Sequence, residues 1–170
     1  MSTSVELKTS AGAIRIELDT AKAPVSCENF LAYVKAGHYD GTVFHRVIPG
    51  FMIQGGDPQS KNAPPGQMLG SGDVGYTIPA EFNPNLIHKK GALCAARTEN
   101  PEKKSSGCQF YIVQGKVYTD SLLTIMEKRN TQSQGYSKLL AREDYKNLFD
   151  KFIQFPFYPT NRKLSGYRNS

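Results

Sequence analysis

His45 and Arg46, followed by Phe51, Met52 and Gln54, bring an imidazole, a cation, two large apolar side chains and an amide within ten residues. Each type has an ordinary structural use. An arginine on a strand usually lies on a solvated face, Phe51 and Met52 by default join a core, and Gln54 would be a surface or ladder residue. His45 beside the arginine is more often structural than a base. Elsewhere, Cys27, Cys94 and Cys108 are widely spaced, odd in number and without C-x-x-C, a pattern that fits reduced thiols used as small packing residues. His38, His45 and His88 share no ligand spacing with them, so no metal site and no cofactor are expected.

The elements that must position these residues read as short strands. Val5 to Thr9 and Ile14 to Leu18 alternate apolar and polar around Ser10-Ala11-Gly12-Ala13, which predicts a hairpin with one buried face. Pro24 opens a helical pattern in which Val25, Phe30, Leu31 and Val34 form the apolar stripe, and Gly37 stops it. Thr42 to Val47 and Phe51 to Gln54 read as strands separated by the turn dipeptide Pro49-Gly50. From Gly55 to about Gly75 the chain is loop-like, rich in Gly, Pro, Ser and Asn. Gly91 to Ala96 and Gln109 to Val113 are further short buried strands joined by a polar loop. Several strands with turn signals and one early helix predict a small β-barrel or sandwich rather than a βαβ sheet. Beyond Thr119, Leu139, Leu140, Leu148, Phe149, Phe152 and Ile153 recur at three- and four-residue steps, an amphipathic helix, and Phe155 to Pro159 is extended and aromatic.

A chain of 170 residues, 39% apolar and 21% charged, suits one globular domain with its own core. Its apolar runs are far shorter than the roughly 20 residues of a membrane span, and no secretory leader pattern opens it; no membrane partner and a cytoplasmic location are expected. The net charge of +6 would suggest nucleic acid if it were spread over the body. Residues 1–127 instead hold 12 Lys/Arg against 12 Asp/Glu, and residues 128–170 hold 9 against 3. The excess sits in the last quarter, so no nucleic-acid partner is expected.

The run from Phe44 to Asp57, F-H-R-V-I-P-G-F-M-I-Q-G-G-D, resembles the cyclophilin signature almost position for position. Further motifs agree in order: the early hairpin, Ala23-Pro24-Val25, Asn29-Phe30, Gly70-Ser71-Gly72 with Tyr76 to Phe82, Gly91 to Arg97, and Ser106 to Ile112. The likeness covers about residues 4–118 and is especially close to bacterial members with the loop N-P-E-K-K-S-S-G, here Asn100 to Gly107. It implies a mainly β fold, a cyclophilin-like antiparallel β-barrel with one N-terminal helix, occupying residues 1–118. It also implies peptidyl-prolyl cis-trans isomerase activity on proline-containing peptides and unfolded proteins. By that resemblance Arg46 is the catalytic arginine, Gln54 holds the peptide carbonyl and amide from two sides, and Phe51 with Met52 lines the proline slot. Ala96 and Tyr111 lie beyond them, and His45 is a lesser substrate-binding candidate. Tyr111 stands where the family usually has phenylalanine, so its hydroxyl must find a partner or water.

After the Q-F-Y-I strand the family normally continues with a segment of two further strands, a helix and part of the pocket wall. Residues 119–170 do not match it and read as a basic helical insertion-like tail. The expectation is then a barrel with exposed edges on the first and sixth strands, open to self-association. Three explanations stand: a truncated or frameshifted product, ranked first; a tail that covers the gap; or strands supplied by a second copy or a partner. The alternative to catalysis is an impaired or non-catalytic module that grips X-Pro segments on the same fold.

Overall fold

The computed structural model describes residues 3–126 and 164–168. Strands β1 (Thr3–Thr9) and β2 (Gly12–Leu18) form the expected antiparallel hairpin, in register from Thr3 opposite Leu18 to Thr9 opposite Gly12. Val5, Leu7, Ile16 and Leu18 are its buried face. The Thr9 hydroxyl closes the turn, accepting from the Ala11 amide at 3.1 Å and donating to the Gly12 carbonyl at 2.7 Å.

Helix α1 (Pro24–Lys35) begins with the proline, whose missing N–H would have had no helical partner. The next two amides, Val25 and Ser26, donate to the two oxygens of Glu81 at 3.1 and 2.9 Å. A carboxylate from a distant loop thus satisfies the orphan donors of the helix start. Burial pushes the Glu81 pKa up, but the hydrogen bonds from Ser26 and Val25 outweigh it and leave the carboxyl below its ordinary value. Cys27, Phe30 and Val34 are the buried face, with Leu31 packed at its margin. Val25, expected on the stripe, is 43% exposed, and Cys27 takes the buried place in its stead. The core joins this face to the hairpin and to Tyr39 and Phe110. The Phe110 ring meets Phe30 and Tyr39 edge-on, with centroids 5.6 and 5.3 Å away.

A second sheet carries β3 (Arg46–Ile48), β4 (Met52–Gly55), β6 (Leu93–Ala95) and β8 (Phe110–Val113) in the order β3-β4-β8-β6, every neighbour antiparallel. Between β3 and β4 the Phe51 amide donates to the Ile48 carbonyl at 3.0 Å, and Gly50 takes φ +71. That is a type II turn with proline at its second and glycine at its third position. Strands β5 (Thr77–Ile78) and β7 (Ser105–Ser106) pair with each other, and β9 (Leu164–Arg168) pairs with the outer edge of β1.

Four sequence expectations change. The strand expected from Thr42 begins only at Arg46, because the Val43 amide donates to the Ser60 hydroxyl at 3.1 Å and the Thr42 hydroxyl to the Tyr39 carbonyl at 2.7 Å. Phe51 belongs to the turn, not to the strand. The fold is mainly β, as expected, but the described strands form three separate sheets and no closed barrel. Finally, β1 is no open edge, since β2 and β9 flank it, and the sixth of the strands read from the sequence, now β8, lies between β4 and β6. Within the segment expected as a helical tail, residues 120–126 are helical but residues 164–168 are a strand, because the free backbone groups of β1 offer it a ladder. The amphipathic helix expected around Leu139 to Ile153 and the aromatic stretch from Phe155 to Pro159 lie outside the described residues.

Candidate active site

In the register of the second sheet Arg46 faces Gln54, Gln54 faces Tyr111, and Tyr111 faces Cys94. Residues directly opposite in a ladder share a face, so these four side chains form one row across four strands. Met52, two residues before Gln54, stands in the adjacent row opposite Ile48 and Val113. The predicted cation, amide and pocket floor are therefore brought together by strand pairing.

The row is fastened by polar bonds. Arg46 Nη1 donates to Gln54 Oε1 at 3.3 Å, and Gln54 Nε2 donates to Gln109 Oε1 at 2.9 Å. Gln109 Nε2 donates in turn to the carbonyls of Gly70 and Gly72, at 3.0 and 2.7 Å. Gln109 is buried and was not singled out in the sequence as a site residue. The available signal was a glutamine directly before the apolar run Phe110 to Val113, since a buried amide must be hydrogen-bonded. With these bonds made, Gln54 keeps one N–H and one oxygen lone pair, and the remaining guanidinium N–H groups of exposed Arg46 have no partner among the described residues.

The bend that delivers Gln109 is held from α1 and its following loop. Asn29 Nδ2 donates to the Gly107 carbonyl at 2.7 Å, the Tyr39 hydroxyl to the Cys108 carbonyl at 2.9 Å, and the Ser106 hydroxyl accepts from the Gln109 amide at 3.1 Å. Gly56 is packed directly on this bend: it has φ +86, and a Cβ there would stand 2.4 Å from the Cys108 carbonyl oxygen.

Among the apolar candidates, Phe51 is 51% exposed beside the row, its carbonyl accepting from the Gln114 and Gly115 amides at 2.8 and 3.1 Å. Met52 is only 2% exposed, so it forms a floor rather than an open wall. Ala96 is buried; its amide donates to the Gln109 carbonyl at 2.9 Å and its carbonyl accepts from Ser106 at 2.8 Å. The partner required by the Tyr111 hydroxyl is His88: Nε2 lies 2.7 Å away, with the two rings stacked. Burial, and then the neighbouring Cys94, push the Tyr111 phenol up, and burial pushes the Cys94 thiol up to about 11. His45 lies against Gly70, with both ring nitrogens buried and unpartnered among the described residues. Burial lowers its basicity most, Arg46 adds to this, and Asp57 opposes it. His45 thus sits beneath the Gly70 loop, while Arg46 is exposed at the end of the row.

The surface depression along the outside of α1, about 360 Å³ and lined by Thr20, Pro24, Glu28, Leu31, Ala32 and Lys35, includes none of these residues. The site is an open sheet face bounded by loops.

Residues 4–130 match the family described as cyclophilin type peptidyl-prolyl cis-trans isomerase/CLD. The chain belongs to this family. A peptidyl-prolyl cis-trans isomerase of Acinetobacter baylyi is 44% identical over 110 residues, 65% of this chain and 54% of the relative. One of Streptomyces antibioticus is 48% identical over 114 residues, 64% of this chain and 60% of that protein. This cyclophilin-family chain thus spans between about half and three-fifths of the length of these curated relatives. Among solved structures, a Cryptosporidium parvum cyclophilin type isomerase matches with a TM-score of 0.57 and 31% identity, over 69% of this chain and 70% of that one. A structure of the Cryptosporidium parvum isomerase in the presence of the dipeptide Ala-Pro matches over 98% of both chains, with a TM-score of 0.58 and 23% identity, a likeness of fold.

Proposed function

We propose that this chain accelerates rotation about X-Pro peptide bonds in peptides and in folding chains, using Arg46 as its catalytic residue. Amide resonance sets a barrier of about 18–20 kcal/mol, and rotation transfers no proton and breaks no bond. A catalyst needs an apolar seat for the proline ring, a grip on the flanking backbone, and a donor for the prolyl nitrogen lone pair that appears as resonance is lost. The unused guanidinium N–H groups of Arg46 are that donor. The spare N–H and lone pair of Gln54 grip the peptide, with Phe51, Met52, Ala96 and Tyr111 as the seat. His45 serves the site through packing. The observation that carries this reading is the row Arg46-Gln54-Tyr111 fixed by strand register.

An isomerisation assay on an X-Pro peptide tests it. Arg46→Ala is expected to lower kcat/KM by about 10²- to 10³-fold, the cost of losing one preorganised donor. Rates for wild type and variant that both equal the uncatalysed background would leave only the gripping module.

In the same reading, residues 1–118 are the isomerase body and residues 119–170 a basic appendage. Reduced cysteines support a cytoplasmic setting, and unfolded proteins are the natural source of X-Pro bonds. Self-association would use edges of the described sheets such as those at β2, β9, β3 or β6.

A further inference from the structure

Asp57 is completely buried, and its carboxylate binds backbone only. One oxygen accepts from the Gln59 amide at 2.7 Å; the other accepts from the amides of Gly70 and of Gly72, the latter at 3.4 Å. The loop closes on it so tightly that a Cβ at Gly72 would stand 1.8 Å from Asp57 Oδ1. The carbonyls of those same two glycines accept both N–H bonds of Gln109.

This fixes a direction. A free glutamine amide can present either end, because its oxygen and nitrogen have the same shape. With both N–H bonds of Gln109 taken by loop carbonyls, only its oxygen is left for Gln54. Gln54 must then present its nitrogen to Gln109, and its oxygen is left facing Arg46. Reversal at any point would set donor against donor or acceptor against acceptor in a partly buried place, which costs a full unmade bond.

We propose that Asp57 is a positioning residue for Arg46, acting through the Gly70–Gly72 loop, Gln109 and Gln54 to set the sense of this amide relay. The kinetic part rests on the isomerase reading; the relay itself does not. An acceptor oxygen facing Arg46 holds the guanidinium over the row, whereas a reversed Gln54 would put an N–H against it.

The test uses the full chain and nuclear magnetic resonance of side-chain amides. In wild type, couplings across hydrogen bonds should run from Gln109 Nε2 to the Gly70 and Gly72 carbonyls, and from Gln54 Nε2 to the Gln109 side-chain carbonyl. Couplings in the opposite sense overturn the proposal. Asp57→Asn keeps the shape but turns one acceptor into a donor facing backbone N–H groups. It should move the Gln54 and Gln109 side-chain signals and lower kcat about 10- to 100-fold, with KM changed less than about twofold, as expected for a misplaced catalytic group. A folded Asp57→Asn protein with unchanged Gln54 signals and unchanged kcat overturns it. Should that variant fail to fold, Gln109→Glu, which cannot donate to the loop carbonyls, must show the same signal movement, and unchanged Gln54 signals there overturn it equally. An inactive wild type would end the isomerase reading and leave the couplings and signals to decide this one.

Discussion

Two parts of the molecule, a rigid flank and an open one, are built by different means. On the rigid flank, residues 43–72 and 105–111 are knitted by side-chain hydrogen bonds and by glycines that leave no room for a Cβ. On the open flank, residues 117–126 present Val117, Tyr118, Leu122, Ile125 and Met126 to solvent, with Val117 85% exposed. The rigid flank holds every residue assigned to the chemistry except Ala96 of the seat, and its geometry is over-determined by independent bonds. The second has apolar side chains but few fixed positions. Rotation about an amide demands placement of donors more than strong binding, so the catalytic groups belong on the rigid flank.

The contrast can be broken most forcefully at Gly56. Alanine there would combine the strain of φ +86 with a Cβ 2.4 Å from the Cys108 carbonyl. Gly56→Ala is expected to destabilise the chain by about 3 kcal/mol or more, read by denaturant titration; a loss under about 1 kcal/mol would show that the flank yields easily.

A second test titrates the rigid flank through His45. Burial holds its folded value below the ordinary 6.5, so the unfolded chain binds the extra proton more readily as pH falls below that value. Stability should therefore drop as pH falls from neutral through the ordinary histidine value of 6.5, and His45→Phe should flatten the slope. An unchanged slope in the variant would assign the dependence elsewhere.

The smallest effect is expected on the open flank. Ile125→Lys should change the melting midpoint by no more than the equivalent of about 0.5 kcal/mol, as for other exposed sites. A loss of about 2 kcal/mol or more would mean that this surface is covered in solution.

Legibility in the sequence followed the same division. The motif from Phe44 to Asp57 pointed to Arg46, Phe51, Met52 and Gln54 through its resemblance to the cyclophilin signature, since taken singly each residue type has an ordinary structural use. It could not reveal Asp57 or Gln109, whose importance lies in bonds to loops 13 and 37–39 residues away. The start of β3 was misread because Thr42 and Val43 have strand-forming side chains but spend their polar groups on Tyr39 and Ser60. Cys27 outranked Val25 on α1 because Glu81, remote in sequence, fixes the first turn. The strand β9 has a glycine at its centre and little alternation, so only its pairing with β1 identifies it.

That pairing orders events in time. Strand β1 ends at Thr9, yet its outer neighbour begins only at Leu164, so β1 is synthesised well before β9. At about 5–20 residues per second, the nascent chain carries an unpaired strand edge for roughly 8 to 30 s before its partner is synthesised. Among the described strands, the three-stranded sheet is thus the last to be completed, and during synthesis the exposed edge of β1 is where a chaperone or a neighbouring nascent chain would take hold.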